Sequence, residues 1–177
     1  MRIAFVHDWL VVSGGAEKVT REILKCYDAD VFALVDFLDD TDRAFILHGK
    51  KAKTSFIQQL PFAQHHFRNY LPLFPAAIDR LDLSNYDLIL SASYAVAKGV
   101  RTRPDQVHVC YMHTPMRYAW VNEAGYLKDH GLVRGPKAFL ARKTLEYLRK
   151  WDLKSNPSID RFIANSANVA QRVKGLY

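Results

Sequence analysis

Cysteine is scarce in this chain. Cys26 and Cys110 are the only two among 177 residues, and they stand at neither C-x-x-C nor metal-ligand spacing. A disulfide framework is therefore not what organises the chain, and both residues read as reduced, buried thiols. Long apolar runs are missing too. Nothing approaches the roughly 20 apolar residues of a membrane-spanning helix. The opening MRIAFVHDWL meets His7 and Asp8 before it could form a signal-peptide core. The expectation is a cytoplasmic protein. Internal repeats and low-complexity segments are absent. Neither G-x-G-x-x-G nor a Walker A loop occurs, which removes the usual support for dinucleotide binding and ATP hydrolysis.

Acidic residues are outnumbered. Lys and Arg total 25 against 18 Asp and Glu, a net charge of +7, which favours anionic partners. Nucleic acid, anionic lipid and phosphorylated small molecules all satisfy that condition. The length corresponds to one domain or slightly more.

Short apolar runs alternate with helical patterns along the chain. RIAFVH (2–7) fits a strand buried on both faces. In the VVSGGAEKVTREILKCY that follows, Ala16, Val19, Ile23 and Tyr27 fall at helical spacing. Ser13 or Gly14 would cap this helix, with Glu17 favourably placed in its first turn. DVFALVD (30–36) reads as a second strand, completing a βαβ unit with parallel strands. DFLDDTDR reads as an acidic loop, AFILHGKKAKTSF as holding a further strand, and 56–81 as two helices separated by prolines. YDLILSAS (86–93) and HVCYMH (108–113) are strands. Residues 116–155 are largely helical, DRFIANS (160–166) is a last strand, and a final helix begins after it. This order predicts an α/β fold, a Rossmann-like doubly wound parallel sheet.

Ligands of such sheets bind beyond the carboxyl ends of the strands. His7 and Asp8 follow the first strand, with Gly14 and Gly15 just beyond; Ser91 and Ser93 end YDLILSAS. His113, Thr114 and Arg117 follow HVCYM, and Asn165 and Ser166 follow RFIA. The glycine pair serves one of two purposes. It lets a ligand approach the helix N-terminus closely, or it supplies a turn of positive φ. His113 could hold a ligand hydroxyl or carry a proton, and Arg117 could fork onto a phosphate. No metal is expected, since His65 and His66 are adjacent and point apart on a helix. Lys50, Lys51, Lys53 and Arg68 stand among Phe56, Phe62, Phe67, Tyr70 and Phe74, a combination that suits an anionic membrane surface. A second basic helix, 137–154, could join it.

HDWLVVSGGAEKV, YDLILSASYAVAKGV, HVCYMHTPMRYAW, LRKWD and DRFIANSANVAQRV together resemble the N-terminal domain of a retaining, GT-B-fold glycosyltransferase of family four. Bacterial mannosyltransferase-like enzymes of surface-polysaccharide assembly are the nearest variety. The resemblance implies that 1–177 is the acceptor-side half of a two-domain enzyme, inactive alone, whose donor-binding C-terminal domain is absent from the chain. It implies a nucleotide sugar, GDP-mannose by preference, as donor, and a lipid-linked or polysaccharide acceptor. Neither cofactor nor metal is implied, and the place of action is the cytoplasm or the inner face of the cell membrane. Gly14 and Gly15 would line the donor diphosphate and sugar. His113, the candidate catalytic residue, would face the transferred sugar, with Arg117 and Ser166 as further cleft contacts. After Tyr118-Ala119-Trp120 the family often has an acidic residue, where this chain has Val121-Asn122. Two other classes stay open: a non-catalytic module for a phosphorylated or lipid-linked glycan, and a basic nucleic-acid binder. The second is disfavoured because the aromatics cluster beside prolines and apolar residues rather than as stacking platforms.

Overall fold

The computed structural model describes residues 1–177. Six strands form one all-parallel sheet: β1 (Ile3–His7), β2 (Ala29–Ala33), β3 (Lys53–Thr54), β4 (Leu88–Ser93), β5 (Val107–Met112) and β6 (Arg161–Ala164). Their order is β3-β2-β1-β4-β5-β6. The order reverses between β1 and β4, which is where such sheets open a crevice. The helices are α1 (Gly15–Cys26), α2 (Asp40–Leu47), α3 (Ala63–His66), α4 (Phe74–Asp79), α5 (Arg117–Trp120), α6 (Glu123–Asp129), α7 (Pro136–Lys154) and α8 (Ala167–Leu176). The predicted α/β fold is the one observed.

Two apolar layers sandwich the sheet. On one face, Ile3, Phe5, Val31, Ala33 and Ala92 meet Leu24 of α1 and Ile46 and Leu47 of α2. On the other, Ala4, Val6, Phe32 and Ile89 meet Ile57, Phe67, Phe74, Ile78, Leu145 and Leu148, drawn from the 56–79 segment and α7. Every residue of β1 is buried, as a strand covered by helices on both faces requires.

Several local expectations are corrected. Residues 40–47 are a helix, not part of an acidic loop, because Asp39 caps it by accepting the Asp42 N–H at 2.7 Å. The strand expected in 44–56 shrinks to Lys53–Thr54. The two helices expected in 56–81 break into short 3-10 and α turns; Pro61, Pro72 and Pro75 cannot donate to a continuous ladder. Helix α1 does not bury the 16/19/23/27 stripe. Its buried residues are Glu17, Thr20 and Leu24, and Tyr27 is exposed. Cys26 is exposed as well, whereas Cys110 is buried and its thiol is pushed up to about 12 by desolvation. In the 50–75 segment Phe67 and Phe74 belong to the core, while Lys50 and Lys53 pair with Asp28 and Asp30.

Candidate functional site

The polar groups of the switch point begin with Asp8, which is fully buried one residue past β1. Its Oδ2 accepts the Tyr94 and Ala95 N–H groups at 2.6 and 2.9 Å, and its Oδ1 those of Val96 and Ala97 at 2.6 and 2.7 Å. Burial pushes this carboxyl above its ordinary range, although the Tyr94, Val96 and Ala97 N–H groups and the neighbouring His7 pull against it. With two donors on each oxygen, the geometry is that of a carboxylate. Asp8 therefore fastens the segment after β4 to the end of β1 and has no lone pair left for a ligand.

His7 points to the opposite face, toward α1. Its ring Nε2 lies 3.2 Å from Glu17 Oε1 and its Nδ1 3.2 Å from Thr20 Oγ1. Thr20 and Glu17, three residues apart on the helix, are thus buried because a strand histidine needs them. The other oxygen, Glu17 Oε2, accepts the Gly14 N–H at 3.0 Å. Burial pushes the Glu17 carboxyl up, but the His7 hydrogen bond and charge and the Gly14 N–H outweigh it, and the result lies below the ordinary range.

This arrangement explains the two glycines separately. Neither has positive φ; Gly14 is extended at φ −100° and ψ −167°. A Cβ on Gly14 would come within 2.8 Å of Glu17 Oε2, so glycine there makes room for the carboxylate. A Cβ on Gly15 would meet nothing within 4 Å. No internal contact demands glycine at Gly15, where the helix N-terminus is open to solvent. The Gly14 N–H is spent on Glu17. Those of Gly15 and Ala16 donate to no atom of the chain, as expected in a first helical turn.

His113 lies on the same rim. The strand register places His7, Ala92 and Tyr111 in one row across the sheet, and His113 follows Tyr111 by two residues on the same side. An aromatic chain links the positions. The Tyr94 ring is 5.8 Å from His7 and 6.0 Å from His113, and Tyr111 is 5.1 Å from His113. Gly14, Glu17, His7, Tyr94 and His113 thus form a continuous contact path. Burial, reinforced by the His7 charge, lowers His113 to about 4. It is neutral at pH 7, a hydrogen-bonding group rather than a proton carrier poised near neutrality. Its Nε2 is buried without a partner, as are Ser93 Oγ and Tyr118 Oη.

The remaining candidates are less central. Arg117 is exposed at the start of α5. Ser166 caps α8 by accepting the Val169 N–H at 3.2 Å, three strand intervals from β1, or about 14 Å. Ser91 is turned inward onto His108 at 2.8 Å. Sequence reasoning undervalued Arg68. It is exposed, has no carboxylate partner, and its guanidinium sits 5.6 Å from the Trp9 ring and 4.7 Å from the Phe67 ring. Trp9 in turn meets the Tyr94 ring edge-on at 5.0 Å, which brings the Arg68 charge toward this rim. Burial, Asp8 and Glu17 push the Tyr94 phenol up, and Arg68 opposes them. Only the proximity of Trp9 to the β1 terminus could have hinted at it.

No group of three His, Cys, Asp or Glu side chains able to hold a metal is present. The spaced pair Asp28 and Asp30 stands at the other end of the sheet, held by Lys50 and Lys53. Five surface pockets of about 350 to 470 Å³ lie elsewhere, and none includes Gly15 or His113. The rim carries free donors and an exposed cation, with the orphaned polar atoms buried behind them. Residues 13–177 match the family model described as Glycosyltransferase Family 4. No curated protein and no solved structure matches the chain.

Proposed function

The chain belongs to glycosyltransferase family 4, and on that premise we propose that it is the acceptor-side domain of a retaining hexosyltransferase. The donor is a nucleotide sugar, GDP-mannose by preference, and the acceptor a lipid-linked or polysaccharide glycan. One observation carries the reading: the free α1 N-terminus at Gly15 and the orphaned His113 Nε2 share the rim at the sheet's switch point.

Glycosyl transfer builds negative charge on the departing diphosphate and positive character on the sugar. The free N–H groups of Gly15 and Ala16, with the partial positive charge of the helix end, favour the leaving group. Arg68, over the Trp9 ring, adds a full charge to the same end of the sheet. His113, neutral at pH 7, holds a sugar hydroxyl by hydrogen bond and adds no positive charge next to a developing oxocarbenium ion. Glu17 acts through others: it fixes His7 and the Gly14 turn and so keeps α1 aimed at the rim. A facing donor-binding domain completes the cleft, so this chain alone turns over little or no substrate.

Ligand-observed NMR with GDP-mannose, alongside a transfer assay, tests the proposal. The expected outcome is weak binding that is lost in Gly15→Val and His113→Ala, with no turnover by the 177-residue chain. Binding indifferent to both substitutions, or robust transfer by this chain, would overturn it.

A further inference from the structure

The end of α7 faces a concave surface that the rim does not explain. Tyr147, Trp151 and Lys154 fall on one side of this helix. They border a cavity of about 400 Å³ whose other walls include Arg101, Thr102 and Asp79 of α4. Gly99 shapes it, because a Cβ there would come 2.2 Å from the Trp151 ring; glycine lets the indole lie against this backbone. Arg101 and Thr102 also line a groove that runs to Gln106, immediately before β5. Ser158, on the cavity wall, stands three residues before β6. The cavity therefore lies toward the N-terminal ends of the strands, whereas the rim is built at their carboxyl ends.

The polar groups of this cavity divide into spent and unspent. Ser155 Oγ accepts from Lys98 at 2.8 Å and donates to the Asp152 carbonyl at 2.8 Å. Ser158 Oγ donates to the Ser155 carbonyl at 2.7 Å. The neighbouring ion pairs, Lys98–Asp152 and Arg103–Asp105, leave Arg101 and Lys154 out. Both cations are exposed, and Asp79 pairs with neither. The hydroxyls of Thr102 and Tyr147 have no partner in the chain either. Two free cations and two free hydroxyls thus border an indole ring.

We propose that this cavity binds a hexose phosphate. The Arg101 fork and the Lys154 ammonium meet the phosphate dianion, and Thr102 donates a further hydrogen bond. The apolar side of the sugar ring packs on Trp151, while Asp79 accepts from its hydroxyls. Three features select this ligand. The volume holds a small molecule and not a nucleic-acid strand. Two cations match a dianion, where a single carboxylate would leave one charge unanswered. Asp79 beside them suits sugar hydroxyls and would repel a second phosphate. The site shares no residue with the rim and does not rest on the transferase reading.

Ligand-observed NMR on the full chain tests it, with glucose-6-phosphate as the probe and glucose and inorganic phosphate as controls. The variant is Arg101→Gln/Lys154→Gln. Both side chains are exposed, so circular dichroism should show an unchanged fold. The probe should bind the parent roughly tenfold more tightly than either control, and the variant should lose roughly tenfold in affinity for it. His113→Ala should bind the probe as the parent does, which keeps this outcome separate from the fate of the rim. No binding of the probe, equal binding by parent and variant, or equal binding of either control would each overturn the proposal. Loss of binding in His113→Ala would do so too, by placing the probe at the rim.

Discussion

Two buried charge clusters flank β4, and they are finished differently. One gathers around Lys98, which is fully buried after β4. Its Nζ donates to the Asp152 carbonyl, Ser155 Oγ and Asn156 Oδ1 at 2.6 to 2.8 Å and lies 3.0 Å from Asp152 Oδ1. Trp120 Nε1 and Tyr177 Oη both donate to Asp152 Oδ2 at 2.7 Å. Every donor has an acceptor, and the one side-chain oxygen without a hydrogen bond, Asp152 Oδ1, has the Lys98 ammonium as its counter-charge. The other cluster is the rim, where Asp8 and the His7–Glu17 pair are equally satisfied but Ser93 Oγ and His113 Nε2 beside them are not. The contrast separates polar groups that bind the fold together from those left for a ligand. Two histidines repeat it. His108 donates Nδ1–H to the Ser158 carbonyl at 3.1 Å and accepts from Ser91, whereas His113 keeps an idle nitrogen, though burial lowers both to about 4.

The largest effect should come from opening the closed cluster. Lys98→Met leaves the Asp152 carboxylate buried without its cation and should cost about 3 to 5 kcal/mol in urea denaturation. A loss below 1 kcal/mol would mean that the cluster is not as closed as the geometry says.

Acid should act next. Between its ordinary value near 6.5 and about 4, unfolded His108 takes up a proton that the folded form refuses. Stability therefore rises with pH through that window and is lost on acidification, by about 3 kcal/mol from pH 7 to pH 4 for this residue. His113 works in the same direction. Denaturation of His108→Asn at both pH values should show a correspondingly flatter profile.

The smallest effect divides the two glycines. Gly14→Ala pushes against a carboxylate held by two partners and should destabilise by about 1 kcal/mol. Gly15→Ala should stabilise by about 0.5 kcal/mol, because alanine suits a helix and meets nothing. Equal thermal shifts for the two would erase the distinction between a glycine kept for packing and one kept open.

Strands β1, β2 and β4 were legible because burial along most of their length writes continuous apolar runs, and α1 because a helical pattern follows a glycine turn. Helix α2 was missed since its acidic start looked like a loop until Asp39 is recognised as a cap. The amphipathic reading of α1 failed for a different reason. Its buried face is chosen by His7, ten residues before Glu17 in the chain, and no periodicity reveals that partner.

What the sequence determined alone was the alternation of elements, the parallel sheet and the set of polar strand ends, since local periodicity writes each element and a strand-helix-strand order leaves only parallel pairing. Which of those ends stay free was a tertiary decision. Asp8 is consumed by residues 86 to 89 positions away, and Lys98 by a helix more than fifty residues on. Hydrogen-bond satisfaction between distant segments is fixed only when the chain folds, and it left His113, Ser93 and the Gly15 helix end with capacity to spare.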